Sequence, residues 1–338
     1  MSAISTRPFG ATGIQVPKIG LGCYNLTSDR GVDRETALAV LQRAYELGVR
    51  FFDTAPLYGA GECDELLGEA FGHLGDDEVM IGAKMSGPAD TIHDYTYDGC
   101  MRAFEESLKS LRRDSVFALQ IHGIQGIRNF DSQFREWRTY YNKGMAFEAL
   151  LELKAQGLTR TIGATGHNSV FLADALKEFP LDSVEIASHC NILSQVAEQT
   201  LLPLTAKKNV ATIIANPIGS GRLVDLDRFA KAATPGGLPH DQAVPLLEEV
   251  MEETGRMLYE LALLYLLADK RVTFPIPGPR TVEELEADVG VAWLPRLSPD
   301  QIEKLRRIGT RQMVLKVVTE DGAVLEGMDL RPEWIAGE

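Results

Sequence analysis

Short apolar segments alternate along the chain with longer segments in which apolar residues recur at helical spacing. Eight of the short segments are predicted to be strands: residues 19–24, 50–55, 79–84, 116–122, 161–165, 184–188, 211–215 and 272–276. The helix expected after the third strand shows the clearest period, with Met101, Phe104, Leu108 and Leu111 on one face. Strands that alternate with helices are typical of a parallel sheet covered by helices. Eight such units without a Pro/Gly/Ser-rich linker predict an α/β fold, a single (β/α)8 barrel of the TIM type.

The residues outside the eight units predict a short attachment at each end of the barrel. Phe9 to Ile14 has the pattern of a hairpin turn between short strands, and this N-terminal hairpin is expected to cover the barrel floor. We therefore expect one domain over residues 1–338, with the hairpin at 1–16, the barrel at 17–292 and a C-terminal helix and tail at 293–338. The tail from Arg311 onward either folds over the barrel mouth or packs elsewhere.

Two connections, residues 122–144 and 216–241, are longer than a barrel requires. Both follow the carboxyl ends of predicted strands, where barrel enzymes hold their active sites, so both are candidate pocket walls or lids. The first contains aromatic residues at helical spacing, namely Phe130, Phe134, Trp137 and Tyr141. This aromatic stripe either contributes to substrate choice or forms a small satellite core, and the two interpretations are compatible.

Composition and charge narrow the class of protein. The chain is 45% hydrophobic and 24% charged, as expected for a globular enzyme, and its net charge of −14 without a basic block disfavours nucleic-acid and anionic-membrane partners. Its four cysteines, at positions 23, 63, 100 and 190, form no CxxC pair and are interpreted as reduced thiols of a cytoplasmic protein. Residues 1–13 lack the apolar stretch expected of a signal peptide, and the most apolar run, residues 258–268, is short enough to be a buried helix.

Titratable residues end three successive predicted strands. Asp53 ends the second strand, Lys84 the third and His122 the fourth, and Tyr58 lies five residues beyond Asp53. A tyrosine with its ordinary pKa of about 10 is a poor acid near neutrality, and an adjacent lysine ammonium is expected to lower that pKa. Asp53 would keep Lys84 charged, and His122 would orient a substrate oxygen that Tyr58 protonates or deprotonates.

These residues lie in segments that resemble the aldo-keto reductases. The stretch 51–59, FFDTAPLYG, continuing through Glu62 to Leu67-Gly68, is similar to that family's signature, and residues 81–84 (IGAK) and 119–122 (LQIH) match its lysine and histidine strands. The likeness runs from about Phe9 to Asp288. It implies a catalytic tetrad of Asp53, Tyr58, Lys84 and His122 with Tyr58 as the general acid/base. It also implies reversible hydride transfer between a nicotinamide cofactor and a carbonyl or alcohol.

The resemblance further implies the residues that contact cofactor and substrate, and no metal ion. The cofactor contacts that it implies are Gly22, Cys23, Tyr24, Asp53, Thr165, Asn216, Pro217, Ile218, Gly219, Ser220, Gly221, Leu223, Gly278, Arg280, Glu284 and Asp288. The substrate contacts that it implies are Tyr24, Tyr58 and His122. A guanidinium at a helix N-terminus suits a 2′-phosphate, so Arg280 favours NADP(H), with NAD(H) as the alternative. Glu284 and Asp288 stand where many relatives have Gln and Asn.

Three departures from the family pattern indicate a branch within it. Thr165-Gly166 replaces the usual Ser-Asn, the usual Gln after the sixth strand is replaced near Ala187 or Ser188, and Asn216 stands where an aromatic residue often stacks. These features resemble the branch that contains L-galactose dehydrogenase and D-threo-aldose dehydrogenase. A sugar or polyol substrate is the resulting expectation.

Two other functions remain open from the sequence. A lyase or aldolase would use Lys84 as a Schiff-base nucleophile. A regulatory binding protein would keep the nicotinamide site as a redox sensor. The expected partner is a small carbonyl or alcohol, and the oligomeric state is left open.

Overall fold

The computed structural model of the chain describes residues 3–85, 94–123, 144–231, 237–311, 316–318 and 324–326. A two-stranded antiparallel hairpin comes first, formed by β1 (Thr6–Pro8) and β2 (Gln15–Pro17). Eight parallel strands follow, in sheet order β3 (Leu21–Gly22), β4 (Phe51–Asp53), β5 (Met80–Met85), β6 (Val116–Ile121), β7 (Thr159–Gly166), β8 (Ser183–Ala187), β9 (Ala211–Ala215) and β10 (Phe274–Ile276). All eight predicted strands are present, so the α/β fold with a parallel sheet is confirmed.

The first and last strands of this sheet meet and close it into a barrel. The backbone N–H of Gly20 donates to the carbonyl of Pro275 at 3.1 Å, and the N–H of Gly22 donates to the carbonyl of Pro277 at 2.8 Å. The approach is too close for a side chain, since a Cβ on Gly20 would lie 2.9 Å from Cγ2 of Ile276. The predicted (β/α)8 barrel is therefore confirmed, with glycine at the point of closure.

Helices cover the outside of the barrel. They are α1 (Arg34–Glu46), α2 (Glu62–Phe71), α3 (Tyr97–Leu111), α4 (Ala146–Ala155), α5 (Ser169–Glu178), α6 (Val196–Thr200), α7 (Leu202–Lys208), α8 (Leu226–Lys231), α9 (His240–Thr254), α10 (Leu258–Ala268), α11 (Val282–Gly290) and α12 (Pro299–Arg306). Phe104 and Leu111 of the predicted apolar stripe are buried on α3, whereas Met101 and Leu108 are half-buried at its edge. The packed face of α3 is thus rotated slightly toward its small residues, Cys100 and Ala103.

The predicted N-terminal hairpin packs against the floor of the barrel. Between its two strands, a short 3₁₀ turn (Gly10–Thr12) follows Phe9, which is fully buried. The Phe9 ring lies edge-on to Phe117, with ring centroids 5.0 Å apart, and 6.4 Å from Phe274. A second core cluster forms around it, made of Phe9, Val16, Phe51, Met80, Phe117, Ala118, Ala211, Ile213, Phe274 and Ile276. The hairpin therefore belongs to the barrel core.

Replacing Phe9 with alanine should destabilise the protein by about 3–5 kcal/mol, because it leaves a cavity between rings that cannot collapse fully. Guanidinium unfolding followed by intrinsic fluorescence measures this change. The matched control is Gln15→Ala on the exposed side of the same hairpin, which should alter stability by less than about 0.5 kcal/mol. Equal effects of the two substitutions would show that the hairpin does not contribute to the core.

Some predicted features lie outside the described residues. The aromatic stripe of the first long connection falls within residues 124–143, which lie outside the described residues. In the second connection, residues 232–236 lie outside them as well, whereas α8 is described. In the tail, β11 (Lys316–Val318) pairs antiparallel with β12 (Val324–Glu326). The lid and tail hypotheses and the domain boundaries stay predictions.

The remaining expectations from composition concern membranes and thiols. Among the described residues, no helix is long and apolar enough to cross a membrane. The apolar run predicted to be a buried helix is α10, and seven of its eleven residues are buried. All four cysteines are free and buried. The cytoplasmic location stays a prediction.

Candidate active site

Three charged side chains meet inside the barrel near the carboxyl ends of its strands. Asp53 ends β4, Lys84 lies near the end of β5, and Glu185 lies on β8; their exposed fractions are 2%, 2% and 5%. The Lys84 Nζ donates a hydrogen bond to Asp53 Oδ1, and it lies 3.1 Å from Glu185 Oε2. A buried ammonium requires such partners, since an unpaired charge would be costly there. One lysine thus has two carboxylate partners, of which the sequence predicted only Asp53.

Tyr58 reaches this cluster on an unusual turn. The segment Tyr58–Gly61 contains three successive left-handed residues, with φ of 60° at Gly59, 53° at Ala60 and 98° at Gly61. Glycine adopts this conformation freely, and at position 59 a side chain would also collide with Thr27, whose Cβ lies 2.8 Å from a built Cβ. The turn returns the chain into α2 directly after Tyr58 and thereby keeps the tyrosine at the barrel mouth.

His122 follows β6 and lies beside Tyr58. The two rings are edge-on, with centroids 5.9 Å apart, and the Tyr95 hydroxyl donates to the His122 carbonyl at 2.6 Å. Burial, followed by the Lys84 charge and His167, lowers the pKa of His122 to about 3. Its buried Nδ1 has no hydrogen-bond partner among the described residues. His122 is therefore a neutral imidazole with unfilled hydrogen-bonding capacity.

The protonation of Tyr58 differs from the sequence-based expectation. Burial is the largest cause, and the Glu185 carboxylate the next, of a pKa of Tyr58 that lies well above its ordinary value. The sequence argument that Lys84 lowers the pKa of Tyr58 took only this one cation into account, and it is wrong for this structure. Because Lys84 is shared between two carboxylates, its charge is largely offset. Tyr58 is a neutral phenol at neutral pH.

Tyr24 forms the outer wall of the site. It follows β3, is 43% exposed, and its ring lies edge-on to Tyr58 with centroids 5.0 Å apart. The Arg30 guanidinium stacks over the other side of Tyr24, 4.1 Å from the ring centroid. Gly22 and Cys23, which precede Tyr24 and were also predicted to contact the cofactor, are buried. The predicted substrate contacts Tyr24, Tyr58 and His122 therefore form one continuous surface.

Polar residues continue this surface at the ends of β7 and β8. Thr165, near the end of β7, is buried, and its hydroxyl accepts a hydrogen bond from the Gly123 N–H at 3.1 Å. His167 follows β7, and desolvation lowers its pKa. Burial also lowers the pKa of His189, which follows β8, to about 4. Sequence reasoning missed both histidines and Glu185. The available signal for Glu185 was an acidic residue inside an otherwise apolar predicted strand.

The loop after β9 has the irregular backbone expected of a phosphate-binding segment. Left-handed conformations occur at Asn216, with φ of 52°, and at three consecutive residues, Gly219, Ser220 and Gly221, with φ of 61°, 57° and 82°. The Asn216 side chain holds the turn, since its Oδ1 accepts from the Ser220 N–H and its Nδ2 donates to the Ser188 hydroxyl at 3.2 Å. Irregular turns of this kind can present backbone N–H groups to an anion.

The other predicted cofactor contacts of this loop, Pro217, Ile218 and Leu223, are less accessible to a ligand. Pro217 is buried and Ile218 is half-buried against the main core. Leu223 is fully buried, and its N–H donates to the Ile218 carbonyl at 3.1 Å. Leu223 therefore supports the loop from inside the protein.

The segment predicted to bind the adenosine phosphate surrounds the N-terminus of α11. Arg280 is exposed, and the Gly278 carbonyl accepts from Asn25 Nδ2 at 2.6 Å. Glu284 Oε2 accepts from the Arg280 backbone N–H at 2.8 Å, so this helix end already has an acidic partner. Asp288 is 5% exposed, and burial followed by Glu284 raises its pKa to about 7. The sequence did not predict that Glu284 occupies this N–H.

The structure thus pairs Lys84 with Asp53 and Tyr58 with His122 at the same end of the barrel. The cofactor residues after β9 and at α11 lie at the ends of neighbouring strands, β9 and β10. The unfilled Nδ1 of His122 and the left-handed loop fit a ligand with hydroxyl and phosphate groups, so a dinucleotide suits these residues. Within the described part of the chain, no group of three or more His, Cys, Asp or Glu could hold a metal ion.

The chain is similar to known proteins over most of its length. A pyridoxal 4-dehydrogenase from Microbacterium luteolum is 28% identical over 339 residues, which cover 89% of this chain and 96% of that protein. An L-galactose dehydrogenase from Arabidopsis thaliana is 29% identical over 314 residues, covering 89% and 92%. A solved structure of an aldo-keto reductase from Bacillus halodurans in its holo form has a TM-score of 0.72 at 23% identity, covering 91% and 97%. The model of the Aldo/keto reductase family matches residues 18–310, and the chain therefore belongs to that family.

Proposed function

We propose that this oxidoreductase transfers hydride reversibly between a nicotinamide cofactor and a carbonyl or alcohol, with Tyr58 as general acid/base. The observation that carries the proposal is the buried hydrogen bond from Lys84 to Asp53, beside a tyrosine and a histidine whose rings are in contact. Such a cluster of titratable groups in a barrel mouth is typical of an active site. The similarity to two dehydrogenases supports the same reaction class.

The side chains have distinct roles in this proposal. In carbonyl reduction the Tyr58 hydroxyl gives its proton to the substrate oxygen, and in alcohol oxidation the same oxygen takes the proton back. Neutral His122 can hydrogen-bond the substrate oxygen through a ring nitrogen and orient it toward Tyr58. Lys84 stabilises the charge that develops on the phenol oxygen, and Asp53 holds Lys84. The nicotinamide ring supplies or accepts the hydride.

The cofactor would be held by three parts of the chain. Thr165 lies near the end of β7, and Asn216 follows β9. The left-handed segment Gly219 to Gly221 suits the pyrophosphate, and Arg280 suits a 2′-phosphate. Arg280 favours NADP(H), as the sequence indicated, whereas Glu284 opposes a phosphate at the same helix end.

A test of the cofactor assignment uses Arg280 and Glu284 as opposed variants. Arg280→Ala should weaken NADPH binding by about 10–150-fold and barely alter NADH binding, because a charge-assisted contact to the phosphate is lost. Glu284→Gln should strengthen NADPH binding by about 2–5-fold, since it removes a negative charge from the helix N-terminus. Fluorescence titration with each cofactor measures both effects. If both cofactors respond equally to Arg280→Ala, Arg280 does not bind the 2′-phosphate and NADP(H) loses this support.

The substrate class is proposed to be a sugar, a polyol or a related hydroxylated aldehyde. Polar groups follow several strands at this end of the barrel, with His122 beside Tyr58, His167 after β7 and Asn216 after β9, and they suit a ligand with several hydroxyls. The similarity to L-galactose dehydrogenase supports a sugar, and the similarity to pyridoxal 4-dehydrogenase supports a ring-bearing alcohol or aldehyde. A panel of aldoses, keto sugars and aromatic aldehydes, with NAD(H) and NADP(H) in both directions, tests the proposal. Highest kcat/KM with unhydroxylated aldehydes would contradict the substrate class.

The geometry gives little support to a lyase that uses Lys84 as a nucleophile. A Schiff base requires a free neutral amine, whereas the Lys84 Nζ is enclosed by Asp53 and Glu185. Borohydride trapping with substrate should therefore leave Lys84 unmodified. The redox-sensor hypothesis is tested by the same substrate panel, because a sensor would bind cofactor without rapid turnover.

A further inference from the structure

Glu185 is the buried charged group of the site that the proposed reaction does not use. It lies on β8 and contacts Lys84 on β5 across the barrel interior, with Oε2 3.1 Å from Nζ. Beyond this contact, Oε2 has no hydrogen-bond partner among the described residues. A buried carboxylate is costly to keep, since it loses its hydration.

The charges in the cluster do not cancel. Asp53 and Glu185 are two carboxyl groups against the single Lys84 ammonium, and His122 is neutral because burial lowers its pKa to about 3. With both carboxyl groups ionised, the cluster carries one excess negative charge. A phenolate formed at the half-buried Tyr58 would add a second negative charge near this cluster, which electrostatics disfavours. Removing Glu185 would leave Asp53 and Lys84 as a balanced pair.

We propose that Glu185 is a positioning residue that offsets the Lys84 ammonium and thereby keeps the Tyr58 hydroxyl protonated, in the form that donates to a carbonyl oxygen. This inference rests on the proposed role of Tyr58. Glu185 acts through Lys84 and need not touch the substrate. The enzyme then begins carbonyl reduction with its acid already loaded, and Lys84 stabilises the phenolate once the proton has left.

Other groups near Tyr58 affect its protonation as well, and the test must separate them from Glu185. The titratable and charged groups that face the Tyr58–Lys84 pair are Cys23 and Tyr24 after β3, Asp53 on β4, Cys63 and Asp64 on α2, His122 after β6, His167 after β7 and Glu185 on β8. Burial raises the pKa of the Cys23 thiol, so it adds no negative charge near neutrality. Asp64 accepts hydrogen bonds from Thr54 and Ser107, and burial raises its pKa to about 6. Among these groups, Glu185 contributes most to raising the Tyr58 pKa after burial.

The substitution Glu185→Gln tests the proposal, because it keeps the shape of the side chain and removes its charge. The ionisation of Tyr58 is followed in the cofactor-free protein as the tyrosinate absorbance of each variant minus that of its own Tyr58→Phe counterpart. The midpoint should fall by about 1–3 pH units in Glu185→Gln, the size expected for loss of a nearby charge. The basic limb of the pH profile of kcat/KM for carbonyl reduction should fall with it, since the free enzyme then loses its acid at lower pH.

Two further variants separate charge from structure. Glu185→Asp keeps the anion and should restore the wild-type midpoint, and Glu249→Gln removes an equal charge from the exposed side of α9 and should change nothing. An unchanged midpoint in Glu185→Gln, or an equal fall in Glu185→Asp, would overturn the proposal. The acid/base role of Tyr58 and the positioning role of Glu185 can be refuted separately. If Glu185→Gln shifts the midpoint but the Tyr58→Phe enzyme is active, only the proposed function is refuted. An unshifted midpoint with an inactive Tyr58→Phe enzyme refutes only the role of Glu185.

Discussion

Replacing Tyr58 with phenylalanine should lower kcat by about 10²–10⁴-fold, the usual contribution of general acid/base catalysis. The substitution removes the transferable proton and leaves the ring, which packs against Tyr24 and His122. Binding of the cofactor should therefore stay within a few-fold of wild type. Steady-state kinetics with the best substrate and fluorescence titration of the cofactor measure the two quantities separately.

The matched control for this prediction is Tyr24→Phe. It removes the neighbouring hydroxyl, at 43% exposure, without touching the proposed acid. Its effect should fall mainly on KM, as expected for a contact that binds substrate and transition state alike. A Tyr58→Phe enzyme that keeps more than half of the wild-type kcat would remove Tyr58 from the mechanism.

Replacing Lys84 with methionine should have a comparable effect on kcat and should also destabilise the fold. Without its ammonium, Asp53 and Glu185 become two buried carboxylates with no cation, a change that typically costs about 3–5 kcal/mol. The remaining negative charges should raise the pKa of Tyr58 further, because they disfavour the phenolate. Thermal unfolding and kcat together measure the two consequences.

A double variant distinguishes these consequences of Lys84→Met. Adding Glu185→Gln removes one of the two unpaired carboxylates and should recover part of the lost stability without restoring kcat. Recovery of kcat together with stability would mean that Lys84 has only a structural role. An unchanged stability in Lys84→Met would contradict the ion pairs themselves.

The barrel, and the positions of Asp53, Lys84, Tyr58 and His122 at one end of it, were predictable from sequence because each signal is local. Asp53 and Lys84 stand at or near the point where an apolar strand ends, and parallel strands bring their carboxyl ends to one side of a barrel. Tyr58 follows within a glycine-containing turn whose left-handed residues were not anticipated individually. The family signature covers this same stretch, so pattern and resemblance agree.

The electrostatics of the site were not predictable in the same way. Glu185 is separated from Lys84 by about one hundred residues and meets it only after β5 and β8 face each other across the barrel. The pKa of Tyr58 is raised by burial first and by Glu185 next, so a sequence argument from Lys84 alone gives the wrong direction. The hydrogen bond from the Arg280 N–H to Glu284 could not be predicted either, because it depends on the detailed geometry of a helix end.

The most direct test of the account follows the hydride itself. The protein is given reduced cofactor that carries deuterium at the transferable position of the nicotinamide, together with the best aldehyde or sugar of the substrate panel, and the product is examined by mass spectrometry and NMR. We expect the wild-type enzyme to form an alcohol with one deuterium on the former carbonyl carbon. The Tyr58→Phe enzyme should form almost none of this product. An alcohol product without deuterium, or deuterium transfer at an undiminished rate in Tyr58→Phe, would contradict the account.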